Sequence, residues 1–224
     1  MTLNPPVITI DGPSGSGKGT IARRVADALG FHLLDSGALY RLTAIAAKNK
    51  RISLDDGDAL ALLARGLDIR FDGNKDRSER ILLDNEDVTL EVRWESTGAE
   101  ASTVAGLTEV RAALLDRQRA FQKAPGLVAD GRDMGTHVFP SALIKVFLTA
   151  SAEERAKRRH KQLKGKGMDV TLAALSRDIE DRDRRDSERS VAPLKPARDA
   201  RILDSSGLSI ETVVNTVLEW VAEL

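Results

Sequence analysis

The segment Gly12-Pro13-Ser14-Gly15-Ser16-Gly17-Lys18-Gly19-Thr20 carries the spacing G-x-x-x-x-G-K, and the chemistry open to it is phosphate binding. Its glycines let the backbone curl until successive N–H groups face one concavity, a nest for phosphate oxygens. A helix starting at Lys18 adds the positive end of its dipole. Lys18 itself supplies a mobile cation for β- and γ-phosphates. The position after the lysine, usually Ser or Thr, is Gly19, and the hydroxyl arrives one place later at Thr20. That shift weakens direct coordination of Mg²⁺ by the hydroxyl. A glycine-rich turn that merely joins a strand to a helix is the plainer alternative, and the complete spacing in the right context disfavours it.

Phosphate loops serve several chemistries. A GTPase needs a guanine-reading Asn-Lys-x-Asp, but Asn74-Lys75 is followed by Asp76-Arg77, so the aspartate is out of register and a polar turn fits better. A motor or ATPase usually has a longer chain and a strand ending in paired acids. Here Leu127-Val128-Ala129 ends in the single carboxylate of Asp130. Asp130 reads either as a holder of waters on Mg²⁺, which keeps several waters when bound, or as a turn aspartate.

These residues need elements to position them. Val7–Ile10 is a β-branched run opened by Pro5-Pro6 and predicts a buried strand. Ile21, Val25 and Leu29 share one helical stripe that Gly30 stops. Strands are also expected at 31–34, 127–129, 144–148 and 200–203, and helices at 38–48, 99–122, 152–164, 171–188 and from Ile210. Strands alternating with helices imply an α/β fold whose parallel sheet is covered on both faces. Between about 63 and 97 the period changes to two. Leu67, Ile69 and Phe71, then Ile81 and Leu83, alternate with polar residues around Asp72-Gly73-Asn74, which predicts an inserted antiparallel hairpin.

The totals exclude other classes. The 224 residues balance 34 Lys+Arg against 34 Asp+Glu, so no global field draws nucleic acid or anionic lipid. The chain has no cysteine, which removes disulfides, thiolate metal sites and a cysteine nucleophile. The longest apolar run, Ala59–Ala64, is far short of a membrane span. Met1–Pro6 has neither the basic nor the apolar region of an export signal, so a cytoplasmic location is expected. His32, His137 and His160 are scattered, without metal-ligand spacing. Trp220 is expected in packing.

Four separated segments resemble the bacterial cytidylate kinases, a family of nucleoside monophosphate kinases. They are Ile10–Gly15, Leu34-Asp35-Ser36-Gly37-Ala38-Leu39-Tyr40-Arg41, Ala129-Asp130-Gly131-Arg132-Asp133-Met134-Gly135-Thr136 and Ala192-Pro193-Leu194. The resemblance implies a P-loop NTPase three-layer fold with a parallel sheet, a small antiparallel β insertion at about 63–97 that binds the nucleoside monophosphate, and a short lid at about 152–168. It implies transfer of the γ-phosphoryl group of ATP, with Mg²⁺, to CMP or dCMP. Nothing in it demands more than a monomer.

Such an enzyme must hold two mutually repelling phosphates in line, which calls for arginines converging from different segments. By the resemblance, Arg41 and Arg132 lie at the phosphate and base region of CMP. Arg182 and Arg189 bridge the transferring group and the acceptor, and with Lys18 and Arg132 make up the catalytic set. Ser36 and Asp186 lie near the ribose. Cytosine presents an amino donor beside the acceptors N3 and O2. The family pattern assigns Asp133 to the amino group, and Arg111 and Ser102 to the acceptors. Uracil would set a carbonyl against Asp133, so CMP is expected to be strongly preferred over UMP.

The run Arg177–Asp186 taken alone reads as a solvated helix laced with ion pairs. The resemblance reverses that for Arg182, Asp186 and Arg189, and leaves Arg184 and Arg185 open. The basic stretch Glu153–Gly167 reads as a lid closing over ATP, with Arg155 and Arg159 as contacts, or as an RNA patch. One Tyr, two Trp and five Phe leave few aromatics to interleave with it, which favours the lid. Rivals are a UMP, AMP or shikimate kinase, or a nucleotide-sensing switch that hydrolyses slowly without an acceptor.

Overall fold

The computed structural model describes residues 4–73, 79–165 and 170–223. The expected turn residue Asn74 and residues 166–168 of the expected lid lie outside them. The chain divides into two compact units, one of residues up to Asp35 and from Arg119 onward, the other Ser36–Gln118.

The first unit is built on a five-stranded parallel sheet in the order β2-β6-β1-β7-β8. Its strands are β1 (Val7–Asp11), β2 (His32–Asp35), β6 (Leu127–Gly131), β7 (Ile144–Thr149) and β8 (Arg201–Asp204). Central strands of a parallel sheet are buried on both faces, which is why β1 and β6 are apolar nearly throughout and wholly buried. Helices lie on both sides of the sheet. Helix α1 (Lys18–Leu29) packs Ile21 and Val25 against Ile8, Ile10, Val128 and Val146, joined by Val213, Val214 and Val217 of α8 (Ile210–Ala222). Trp220 packs at the edge of this core, under the Arg201 guanidinium at 5.3 Å. Gly30 ends α1 in the left-handed region, its N–H returning to Ala26 and Asp27 carbonyls. Helices α6 (Ala152–Lys164) and α7 (Leu172–Glu188) are capped by the Ser151 and Thr171 hydroxyls.

Register decides where the chemistry collects. Ile10 and Asp35 both lie opposite Asp130, and Asp11 opposite Gly131, so β1, β2 and β6 finish together. The phosphate loop after β1 and Arg132-Asp133 after β6 therefore leave the same edge, the carboxyl end where open α/β sheets bind ligands.

The second unit holds α2 (Ser36–Asn49), α3 (Gly57–Arg65), the antiparallel strands β3 (Ile69–Gly73), β4 (Glu79–Leu83) and β5 (Glu86–Asp87), α4 (Glu95–Val104) and most of α5 (Thr108–Arg119). Ile69 faces Leu83 and Phe71 faces Ile81, the pairing that the period-two pattern requires. The antiparallel sheet thus sits inside a unit wider than the 63–97 interval.

Two elements differ from the sequence expectation. The single helix expected at 99–122 is two, α4 and α5, because the chain turns at Ala105–Leu107, where Gly106 donates to Thr103 O. The short run Ala59–Ala64 forms the body of α3, started by Asp56, whose carboxylate accepts from Ala59 N–H at 3.0 Å. Among the described residues, no helix is long and apolar enough to cross a membrane.

Candidate active site

The phosphate loop is shaped by backbone that only glycine tolerates. A Cβ on Gly12 would stand 2.0 Å from the Leu148 carbonyl oxygen, and Gly15 and Gly17 have φ of 77° and 92°. The outward carbonyls are held from behind. Lys18 Nζ donates to Pro13 O at 3.3 Å, Arg155 Nη1 to Ser14 O at 3.1 Å, and Arg158 Nη1 to Ser16 O at 3.2 Å. Ser205 Oγ lies 3.2 Å from the same Ser16 oxygen. With those carbonyls engaged and Gly17 offering no side chain to cap α1, the N–H groups at the start of that helix have no capping side chain, the condition under which an anion can serve them.

Arg155 is tied to the loop's backbone. Its side chain is buried, bonded to Ala150 O at 3.0 Å and doubly to the Asp183 carboxylate at 3.1 and 2.5 Å. The residue expected to contact ATP is thus bonded to the loop expected to hold the ATP phosphates. Arg159 instead donates to Gln162 Oε1 at 2.6 Å.

Around Lys18 the first unit gathers charge. Burial, helped by the Arg132 and Arg182 cations, lowers the Lys18 ammonium to about 8, against the pull of Asp130 and Asp35. Burial raises Asp130 to about 7, with Asp35 adding to the shift and Lys18 opposing it. Gly19 is explained here: a Cβ at that position would lie 3.1 Å from Asp130 Oδ2, so a serine would crowd the carboxylate. Thr20 is exposed on the first turn of α1.

Beyond Lys18, Arg132 Nε donates to Asp186 Oδ2 at 2.9 Å, and Arg189 Nη2 is 3.7 Å from Asp133 Oδ1. Arg189 Nε also donates to Ala192 O at 2.5 Å. Burial alone would raise Asp186, but Arg132, Arg182 and Arg189 together hold it below the usual carboxylate range. Lys18, Asp130, Arg132, Asp133, Arg182, Asp186 and Arg189 are thus one neighbourhood, drawn from the loop, the end of β6 and α7 with its C-terminal flank.

In the second unit Ser36 is the buried first residue of α2. Arg41, one turn on, donates through Nη1 to Val92 O at 2.8 Å and Trp94 O at 3.1 Å. A Cβ on Gly98 would come 2.8 Å from Arg41 Nη2, so the small residue leaves that guanidinium its place. Ser102 is half-buried on α4. Arg111 on α5 donates to Ala105 O at 3.3 Å, with its cation 5.9 Å from the Tyr40 ring centre.

Sequence reasoning missed Asp11, Arg158, Asp183 and Ser205. Asp183 is hidden among look-alike charges, and Ser205 lies in a loop with no pattern of its own. Asp11 carried the one available signal, an acid ending an apolar strand directly before the loop.

Seven donors and acceptors so placed can bind a polyphosphate and orient a second anionic group beside it. Among the described residues no three acids or histidines are grouped to hold a metal. Asp130 is suited to a cation kept mainly by phosphate and water, as Mg²⁺ usually is.

The family model described as "Cytidylate kinase" matches residues 8–223. The chain is 59% identical over 219 residues to the cytidylate kinase of Stutzerimonas stutzeri strain A1501, covering 97% of this chain and 96% of that one. It is 60% identical over 223 residues to the cytidylate kinase of Pseudomonas syringae pv. tomato, covering 99% and 97%. An uncharacterized protein from Eubacterium ventriosum, solved by crystallography, shares the fold at a TM-score of 0.53 and 12% identity, over 98% of this chain and 99% of that one.

Proposed function

The chain belongs to the cytidylate kinase family, and on that premise we propose how its own residues transfer the γ-phosphoryl group of ATP to CMP or dCMP. A phosphate oxygen of the acceptor bonds to the γ-phosphorus while the bond to the β-phosphate oxygen breaks, giving CDP or dCDP and ADP. No side-chain base is needed, because that oxygen is already anionic at neutral pH. Residues Gly12–Thr20 hold the ATP phosphates, and Lys18 neutralises charge on the transferring group. Arg132, Arg182 and Arg189 keep the two phosphates in line. Asp133 accepts from the cytosine amino group, and Asp186 and Ser36 serve the ribose. Arg41 takes the acceptor phosphate, and Arg111 and Ser102 donate to the base. Mg²⁺, when bound, would supply charge neutralisation, and Asp130 and Thr20 are the residues that would hold it, through water. The interval 63–97 serves as the acceptor-binding insertion and 152–168 as the lid, and one copy of the chain suffices.

The observation that carries this reading is the meeting of Arg132, Arg182, Arg189 and two carboxylates, Asp133 and Asp186, beside Lys18. A simple phosphate-binding switch has no use for a second set of arginines there. ADP release measured across CMP, dCMP, UMP and AMP tests it. The expected outcome is fast turnover with CMP and dCMP and a large drop with UMP. Equal rates for CMP and UMP would remove Asp133 from base reading, and hydrolysis indifferent to any acceptor would overturn the kinase reading.

A further inference from the structure

Asp11 ends β1 one residue before the phosphate loop, and nothing in the reaction described above uses its carboxylate. It is buried, and its two oxygens accept from Met134 N–H and Gly135 N–H, each at 2.8 Å. Those amides open the π-helical turn Met134–Val138, which follows directly on Arg132 and Asp133. An aspartate in the flanking position of such a turn ordinarily caps it with its own side chain. Asp133 occupies that position and makes no capping bond; its Oδ1 is turned toward Arg189 Nη2 at 3.7 Å. The carboxylate of a different strand does the capping instead.

The platform is tied down on both sides. Strand β1 runs between β6 and β7, bonded to both. The turn is packed onto it so closely that a Cβ on Gly135 would stand 2.8 Å from Thr9 Oγ1 and 3.2 Å from the Lys145 side chain. Asp133, Arg132 and Asp130 are charged groups whose fields reach Asp11, and burial outweighs its two amide bonds in pushing its carboxyl up to about 6. Keeping a carboxylate in so unfavourable a place is understandable if its geometry serves the neighbours.

We infer that Asp11 is a positioning residue for acceptor recognition: by capping Met134 and Gly135 it fixes the turn that presents Arg132 and Asp133 and relieves Asp133 of the capping role. This rests on the reading that Asp133 and Arg132 contact the cytidine nucleotide. The ATP side is anchored separately, through Pro13, Ser14 and Ser16 carbonyls.

The test is steady-state kinetics of Asp11→Asn, Asp133→Ala and the double variant, with CMP, UMP and ATP each varied. Asn keeps the shape but opposes an NH₂ to one of the two amides. The expected result is a rise in KM for CMP of about tenfold and a CMP-over-UMP preference reduced by roughly the same factor, with KM for ATP within about twofold. In the Asp133→Ala background the Asp11→Asn change should no longer alter that preference. If Asp11→Asn is too unstable to assay, Asp11→Glu, which keeps the charge but moves it by one methylene, should give the same split. Equal losses for CMP, UMP and ATP, or an unchanged preference while Asp133→Ala abolishes it, would overturn the inference. An unchanged preference in Asp133→Ala itself would overturn the reading beneath it.

Discussion

Lys18 is the residue on which charge, burial and chemistry meet, and they pull in different directions. Its pKa of about 8 in the folded chain lies below the usual value of 10.5, so burial of the ammonium opposes folding at neutral pH. The folded state binds fewer protons than the unfolded one between those values, and stability rises with pH across that window. Below about 8 the full penalty is present. Lys18→Met should therefore be nearly inactive yet melt at or above the parent's Tm at pH 7. The advantage should shrink as the pH is raised from about 8 toward 10. Thermal melts of both proteins without nucleotide across that range check it; a variant that melts well below the parent at pH 7 would show that Lys18 supports the fold. Asp133 is a different case. In the role proposed for it, uracil is rejected by leaving a buried acceptor against an acceptor, which a site surrounded by water would not enforce.

At the scale of elements, the phosphate loop depends on polar contacts from helices distant in sequence. Helix α6 supplies Arg155 and Arg158, and α7 supplies Asp183, which holds Arg155 in place. The Arg155 side chain is 5% exposed and that of Asp183 26%, so Asp183→Ala strands a buried cation. We expect a loss of about 3 kcal/mol, roughly 10 °C in Tm for a chain this long, together with a raised KM for ATP. Asp181→Ala, whose partner Arg184 is 61% exposed, should change Tm by less than about 2 °C. Melting curves and ATP titrations of the two variants separate these outcomes, and equal behaviour would mean that the Arg155 pair is idle. This distinction could not be read from the sequence. Arg177–Asp186 is a string of alternating charges, and which of them are buried depends on the neighbouring α6, not on spacing. Local signals did suffice where backbone chemistry is local: Gly30 stops α1, Gly12, Gly15 and Gly17 mark the loop, and alternation at Ile69, Phe71, Ile81 and Leu83 marks the hairpin. The break at Gly106 was missed because apolar periodicity continues through it, and the turn at Met134–Val138 because its cap comes from Asp11, distant in sequence.

For the molecule as a whole, 34 positive and 34 negative side chains cancel, so its attraction for nucleotides is a property of placement, not of net charge. The parallel strand order brings the ends of β1, β2 and β6 to one edge, and that register, invisible in composition, turns scattered arginines into a cluster. Strand alternation announced the fold class; it could not announce that β6 lies between β2 and β1. In the proposed mechanism Gly12–Thr20 hold ATP while Arg132, Asp133, Arg182 and Arg189 hold the cytidine nucleotide. A crystal structure with CMP and a non-hydrolysable ATP analogue measures this directly. The expected result is the analogue's β- and γ-phosphates on the loop amides and Lys18, and the cytosine amino group within hydrogen-bond distance of the Asp133 carboxylate. Phosphates bound away from the loop, or a pyrimidine remote from Arg132 and Asp133, would contradict it.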